Sequence, residues 1–377
     1  MKDLHQCRKE IDEIDRELVS LFEKRMDIAI NVAEYKKKNN LPILNQQREE
    51  AVINESVKNL KNKDYETITR KFFTHIMELS RSLQDKFISE ESYVKSKNSI
   101  IDEKSKIGFQ GVRGSFSEEA LFKYFGEKKE VISYEEFEDV FKAIKSKEID
   151  YGILPIENSW TGAITDVYDL LSKYGFYIVA EECIKIDQNL IGVDGTTIDS
   201  IEEVYSHPQG FKQSNEFLKD NHNWRLIPYH NTATSAKMIS DLNDKTKAAI
   251  ASDRAAKIYN LNIIKRAINN KQDNHTKFIV VGRDLLINEK CNKISIVFSL
   301  EDESGTLYRL LRYFAENNIN MIKIESRPNK HTSWKYLLYL DFEGNLDSEE
   351  VKNAIKLIKK DSGYFRILGN YRKFNDV

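Results

Sequence analysis

Between Asp150 and Ser159 the apolar run Tyr151-Gly152-Ile153-Leu154 breaks at Pro155 and then delivers Glu157, Asn158 and Ser159 in succession. A carboxylate, an amide and a hydroxyl at the end of an apolar run mark a place where chemistry sits, because polar groups at a core's rim have been kept for a partner. A second polar edge, Asp273-Asn274-His275-Thr276-Lys277-Phe278, leads into the apolar run Ile279-Val280-Val281-Gly282 and reads as the other side of the same cleft. Tyr205-Ser206-His207-Pro208-Gln209, with Gln213 one helical step on, and Ala248-Ala249-Ile250-Ala251-Ser252 belong to the same polar set. The glycine-rich Gly108 to Gly114 stretch ahead of Ser115 and Ser117 offers helix amides to an anion, although Gly-Ser caps are also ordinary turn chemistry. His207, beside Pro208, fits a loop or cap as well as an acid or base.

A different chemistry is written near the N-terminus. Arg25 and Lys36 are eleven residues apart, close to three helical turns, which puts both on one face about 16 Å apart along the axis. Two long cations leaning together would clasp a small dianion. Arg8 stands 17 residues before Arg25, about 25 Å of helix and roughly a quarter turn off that face. It cannot reach the same ligand from the same chain, so a functional Arg8 must enter a partner's site. Arg48 and Glu49 open a second helical pattern, and Ser80 and Gln84 lie four apart on one face of a third. Solvated charges on an amphipathic bundle are the other reading of Arg25, Lys36 and Arg48.

These residues need three kinds of scaffold. Apolar positions spaced by three, four and seven from Leu4 to Tyr35 predict one helix over 3–38, and similar patterns predict helices at 46–60 and 66–86, with a break at Asn39 to Pro42. Three helices carry more apolar face than they can bury alone, which points to a dimer. Residues 88–106 are polar and nearly aperiodic, as a linker is. From Lys106, short apolar runs at 106–110, 153–156, 177–182, 248–251 and 278–281 alternate with helical stretches, predicting an α/β domain with a mainly parallel sheet. After a hinge at 282–292, the order strand 293–300, helix 305–317, strand 319–326, strand 334–341, helix 347–360, strand 364–370 is the βαββαβ of a ferredoxin-like unit. The expected domains are therefore 1–88, 106–282 and 293–377, with a linker at 89–105.

The chain has 377 residues, a net charge of -2 and 31% charged residues of both signs, which argues against a nucleic-acid or membrane-surface partner. Cys7, Cys183 and Cys291 are too scattered for a disulfide framework or a zinc knuckle. No apolar run approaches the ~18 residues of a spanning helix. With no signal-like opening, a cytoplasmic setting is expected.

The segment carrying Arg8, Arg25, Lys36, Arg48, Glu49, Ser80 and Gln84 resembles the all-helical chorismate mutases that are fused to prephenate dehydratases. The segment 106–282, with Pro155 to Gly162, Tyr205 to Gln209 and Asn274 to Phe278 in order, resembles prephenate dehydratase. Ser304-Gly305-Thr306-Leu307, Asn320 to Pro328, Trp334, Tyr336 and Asp341 to Gly344 resemble the ACT domain of the same enzymes.

The resemblance implies a multidomain fold: a helical mutase bundle, a two-lobed α/β dehydratase akin to periplasmic binding proteins, and an α+β ferredoxin-like ACT domain. It implies rearrangement of chorismate to prephenate, then decarboxylation and dehydration to phenylpyruvate, without metal or cofactor. Arg8, Arg25 and Lys36 would grip the carboxylates of chorismate, Lys36 and Gln84 would meet the charge growing on the ether oxygen, and Glu49 would accept from the substrate hydroxyl. Asn45 stands where the family commonly has an Asp on that hydroxyl, and Arg48 and Ser80 complete the set. In the dehydratase, Thr276 would donate to the departing hydroxyl, with Glu157, Asn158, Ser159, Ser206, Gln213 and Phe278 binding prephenate. Lys277 stands in place of the family's Arg and offers a point charge for a fork. Gly305, Leu307, Asn320, Glu325, Ser326 and Arg327 would line a site for L-phenylalanine as feedback inhibitor, between subunits of a homodimer or tetramer that shares its mutase sites. Two rivals stay open: a noncatalytic sensor, and a dehydratase whose helical segment only dimerises.

Overall fold

A computed structural model describes residues 3–39, 41, 45–89, 104–328 and 336–374. Asn40, Pro42, Trp334 and nearly all of the expected linker lie outside the described residues. The chain divides into two compact units, 1–94 with 296–367, and 95–295 with 368–377.

The N-terminal segment is three helices, α1 (Leu4–Lys38), α2 (Gln46–Lys58) and α3 (Glu66–Ser89), within a few residues of the expected spans. Asp3 caps α1 by accepting from the Gln6 amide at 2.8 Å, and Asn45 caps α2 by accepting from the Arg48 amide at 3.0 Å. Ala29, Ala33, Val57 and Met77 form a narrow buried seam, while Ile11, Ile14, Leu18, Leu21 and Ile28 of α1 remain exposed.

The α/β segment opens with β1 (Ile107–Gln110), α4 (Phe116–Phe125), β2 (Val131–Tyr134), α5 (Phe137–Ser146), β3 (Tyr151–Asn158), β4 (Gly162–Ala163), α6 (Thr165–Tyr174) and β5 (Tyr177–Lys185). The chain then crosses into a second sheet through β6 (Asn189–Gly192), β7 (Glu203–Ser206), α7 (Pro208–Gln213), α8 (Asn215–Lys219), β8 (Arg225–Pro228), α9 (Thr232–Leu242), β9 (Lys247–Ala251), α10 (Asp253–Ile258) and β10 (Asn262–Lys265). It returns to the first sheet with β11 (His275–Gly282). The order in the first lobe is β5-β11-β3-β1-β2, with β4 beside β3, and in the second β10-β6-β9-β7-β8.

The expected mainly parallel sheet is corrected by this pairing. β1 runs parallel to β2 and β3, but β11 is antiparallel to both β3 and β5, and β6 is antiparallel to β9 and β10. The double crossover between lobes brings β11 back into the first sheet against its neighbours, which no local pattern reveals. Each lobe has its own core: Ile107, Phe109, Ile153, Val179 and Phe278 in the first, and Ile191, Ala236, Ile239, Ala249 and Ala255 in the second.

The C-terminal elements are β12 (Lys293–Ser299), α11 (Thr306–Glu316), β13 (Met321–Pro328), β14 (Tyr336–Glu343), α12 (Glu349–Asp361) and β15 (Tyr364–Tyr371). Their strand order, β13-β14-β12-β15, is that of a ferredoxin-like βαββαβ unit.

Candidate active sites

In the α/β segment the site is organised by a break in strand register. β3 faces β11 with Thr276 opposite Asn158 and Lys277 opposite Glu157, and the pairing then shifts so that Phe278 faces Pro155. Pro155 has no amide hydrogen for the ladder, and a bulge is where a central strand tolerates that loss. The bulge sets Asn158 beside Thr276 at the polar end of the sheet.

Asn158, only 4% exposed, is the hub of this end. Its Oδ1 accepts from the backbone amides of Trp160 and Thr161, both at 3.0 Å. Backbone amides only donate, so the orientation of the Asn158 side chain is decided by them. Its Nδ2 donates to Asn274 Oδ1 at 2.8 Å, His275 O at 3.0 Å and Thr276 Oγ1 at 2.9 Å. A Thr276 oxygen that accepts from an amide keeps its own proton for another acceptor. Ser159 closes the corner: its amide donates to His275 O at 2.8 Å, and its Oγ accepts from the His275 amide at 2.9 Å. Lys277 forms an ion pair with Glu157 at 3.7 Å.

The second lobe contributes the end of β7 and the start of α7. Ser206 is fully buried and donates to Ile250 O at 3.1 Å. Gly210 permits this, since a Cβ there would lie 2.5 Å from Ser206 Oγ. His207 Nδ1 accepts from the Gln209 amide at 3.2 Å, which makes His207 the cap of α7 and places the proton of the neutral ring on Nε2. Burial pushes its pKa below the ordinary histidine value, favouring that neutral ring. Gln213 Oε1 accepts from Gln188 Nε2 at 3.1 Å, tying α7 to the crossover between lobes. Gln209 Nε2 reaches Thr161 Oγ1 of the first lobe at 3.4 Å. Elsewhere Arg254 Nε meets the buried Glu118 at 3.1 Å, and Ser252 Oγ donates to Gly114 O at 3.1 Å, so the lobes are also bonded beside the glycine-rich turn.

Thus Glu157, Asn158, Ser159 and Thr276 cluster at one sheet end, and Gln213 and Ser206 lie in the facing lobe. Phe278, expected at the substrate, is 2% exposed and packs with the first lobe's core. Asn274 is absent from the expected site residues, though it stands two before Thr276, just ahead of β11; it is 1% exposed, and its Nδ2 lacks a partner among the described residues. Gln188 carries no local signal at all.

In the helical segment, α3 gathers the polar side chains. Arg25 Nη1 donates to Ser80 Oγ, and Lys36 Nζ donates to Gln84 Oε1 at 3.4 Å. Ser80 and Gln84 are buried at 6% and 7%, so the α1–α3 seam holds polar groups where a purely structural seam would hold apolar ones. Burial draws the Arg25 pKa downward from its ordinary high value. On α2, Glu49 pairs with Arg81, a residue that no spacing or motif singles out. Arg48 and Arg8 are exposed, and the Asn45 oxygen is engaged in capping.

In the C-terminal segment Gly305 starts α11 at φ 84°, a left-handed conformation suited to glycine, and Leu307 is exposed. Glu325 pairs with Lys323 at 3.1 Å and lies 4.0 Å from Arg327. Alternation along β13 puts Glu325 and Arg327 on one face and Ser326 on the other. Asn320 Nδ2 donates to Glu343 at 3.2 Å.

The family model for prephenate dehydratase matches residues 107–285, chorismate mutase type II matches 7–85, and the ACT domain matches 294–356. A bifunctional chorismate mutase/prephenate dehydratase of Aquifex aeolicus is 31% identical over 99% of both chains. The chain belongs to the bifunctional chorismate mutase/prephenate dehydratases. Among solved structures, prephenate dehydratase of Arthrobacter aurescens in complex with L-Phe is 26% identical, with a TM-score of 0.66 over 71% of this chain and 90% of that one. Prephenate dehydratase of Staphylococcus aureus is 25% identical, with a TM-score of 0.63 over 71% of this chain and all of that one. A bifunctional mutase/dehydratase therefore has its mutase match on α1 to α3 and its dehydratase match on the two lobes. Among the described residues no helix is long and apolar enough to cross a membrane.

Proposed function

We propose that this enzyme of phenylalanine biosynthesis converts chorismate to prephenate on the helical segment and prephenate to phenylpyruvate between the lobes, under feedback inhibition by L-phenylalanine. The domains are taken as 1–88, 106–282 and 293–377. The single observation that carries the reading is the Asn158 hub, because it leaves the Thr276 hydroxyl as a donor beside a buried polar cluster. Prephenate loses carbon dioxide and its ring hydroxyl as the ring becomes aromatic. The enzyme's task is to ease the departure of that hydroxyl and to hold the carboxylates. Thr276 donates to the leaving oxygen, a hydrogen bond that strengthens as charge collects there. Glu157, Ser159 and Gln213 orient the substrate, Lys277 supplies a point charge, and Ser206 holds the strand end that frames α7.

The mutase reaction is an intramolecular rearrangement and requires positioning more than reagents. Arg25 and Lys36 bind the carboxylates, Lys36 and Gln84 face the ether oxygen, and Ser80, Arg48, Asn45 and Glu49 complete the enclosure. Arg8 enters from a second copy of the chain. The exposed apolar positions of α1 support such a homodimer, the lower limit of a dimer or tetramer in the cytoplasm.

Inhibition rests on the ACT segment and on the relative whose structure holds L-Phe. Arg327 Nη1 is buried and makes no hydrogen bond among the described residues, with the Glu325 carboxylate 4.0 Å away, so its guanidinium is a donor suited to an amino acid's carboxylate. Purified enzyme given chorismate should deplete its ultraviolet absorbance and form phenylpyruvate, less so with phenylalanine. Arg25→Ala should abolish only the mutase and Thr276→Ala only the dehydratase. Turnover of neither substrate would leave the sensor reading, and an indifferent phenylalanine would end the regulatory one.

A further inference from the structure

We infer that Arg81 is a positioning residue of the mutase, holding the Glu49 carboxylate in place for the substrate hydroxyl. The inference rests on the reading of Glu49 as a substrate-binding group. One turn of α3 reaches both other helices: Ser80 takes Arg25 and Gln84 takes Lys36 of α1, while Arg81 Nη1 donates to Glu49 Oε2 on α2. At about 100° per residue, Gln84 lies about 40° from Ser80 on the helix circumference, and Arg81 about 60° beyond Gln84. Arg81 therefore borders the polar arc and closes it on the α2 side.

Both members are partly shielded, with side chains 29% and 25% exposed. A lone carboxylate in a cavity that must accept a dianion would repel its ligand and drift among rotamers. The guanidinium offsets that charge and engages one oxygen, Oε2, so that Oε1 is presented in a defined direction. The Asn45 cap fixes the turn of α2 that carries Glu49, and Arg81 then decides where its carboxylate points.

The test is a double-mutant cycle on the full chain, with prephenate turnover and helical circular dichroism as controls of integrity. Glu49→Gln should raise the chorismate KM. Arg81→Gln should raise it about tenfold with kcat within about threefold, since a contact made equally in ground and transition states acts on KM. The double variant should be no worse than Glu49→Gln alone, and Arg81→Lys should recover most of the loss. An unaffected Glu49→Gln would sink the reading of Glu49 and this inference with it. An impaired Glu49→Gln beside an unaffected Arg81→Gln, a loss in kcat, or effects that simply multiply would overturn the inference alone. Should Arg81→Gln fail to fold, Arg81→Lys decides: a KM near that of the parent supports the inference, and a tenfold rise refutes it.

Discussion

Replacing Asn158 by Asp changes one atom in the dehydratase hub and reverses its hydrogen-bond sense. The Nδ2 donor, which serves Asn274 Oδ1 at 2.8 Å, His275 O at 3.0 Å and Thr276 Oγ1 at 2.9 Å, becomes a carboxylate oxygen facing three oxygens. Thr276 can answer with its proton, its hydroxyl turning toward the new carboxylate and away from the substrate, and Asn274 can answer by rotating its amide to offer the Nδ2 that has no partner among the described residues. Losing one aimed donor of this kind costs about 10²–10³ in kcat. The site is buried, and two acceptors lose their donor beside a new charge, so stability should fall by about 2–4 kcal/mol. The assay is phenylpyruvate formation from prephenate by Asn158→Asp, with chorismate turnover measured on the same sample and a thermal melt to show that the chain is folded. A folded Asn158→Asp enzyme that keeps its dehydratase kcat within about threefold would refute the idea that Asn158 aims the Thr276 proton.

Lys293 and Glu181 form an ion pair at 2.7 Å with both side chains 2% exposed, and Glu181 also accepts from the Phe374 amide at 2.9 Å. Lys293→Met should strand a buried carboxylate and lower stability by about 3–5 kcal/mol, read from denaturant midpoints; a loss below about 1 kcal/mol would show that water reaches the site. The His207 cap requires an unprotonated Nδ1, and its folded pKa is depressed by burial. Its contribution to stability should be complete above the unfolded value of 6.5 and be lost as pH falls through the lower folded value, and His207→Asn should flatten that part of the stability profile. A slope unchanged in His207→Asn would assign it to other groups.

Much of the architecture is legible because it rests on local physics. The long period of α1 and the βαββαβ grammar of the C-terminal segment are each written within a few tens of residues, and the caps at Asp3 and Asn45, which the structure adds, are equally local. Ser80 and Gln84 can be paired across a helix face from spacing alone. Arg81 cannot, because its meaning lies in a contact with Glu49, 32 residues away on another helix. Phe278 shares the face of β11 that carries Thr276, and its place among the first lobe's core residues, one step further from the polar end, is likewise set by the folded sheet and not by the motif.

Three segments of different grammar, the residue types for gripping carboxylates and for aiding a departing hydroxyl, and the family to which they belong can all be read along the chain. It takes the folded molecule to return β11 antiparallel, to set Asn158 against Thr276 beside a bulge at Ile156, and to make His207 the cap of a helix. The division has a physical cause. Helix periodicity, caps and strand alternation are governed by interactions over a few residues. Strand register, the direction of a hydroxyl proton and the pairing of Glu49 with Arg81 depend on groups brought together from distant parts of the chain when their apolar faces are buried.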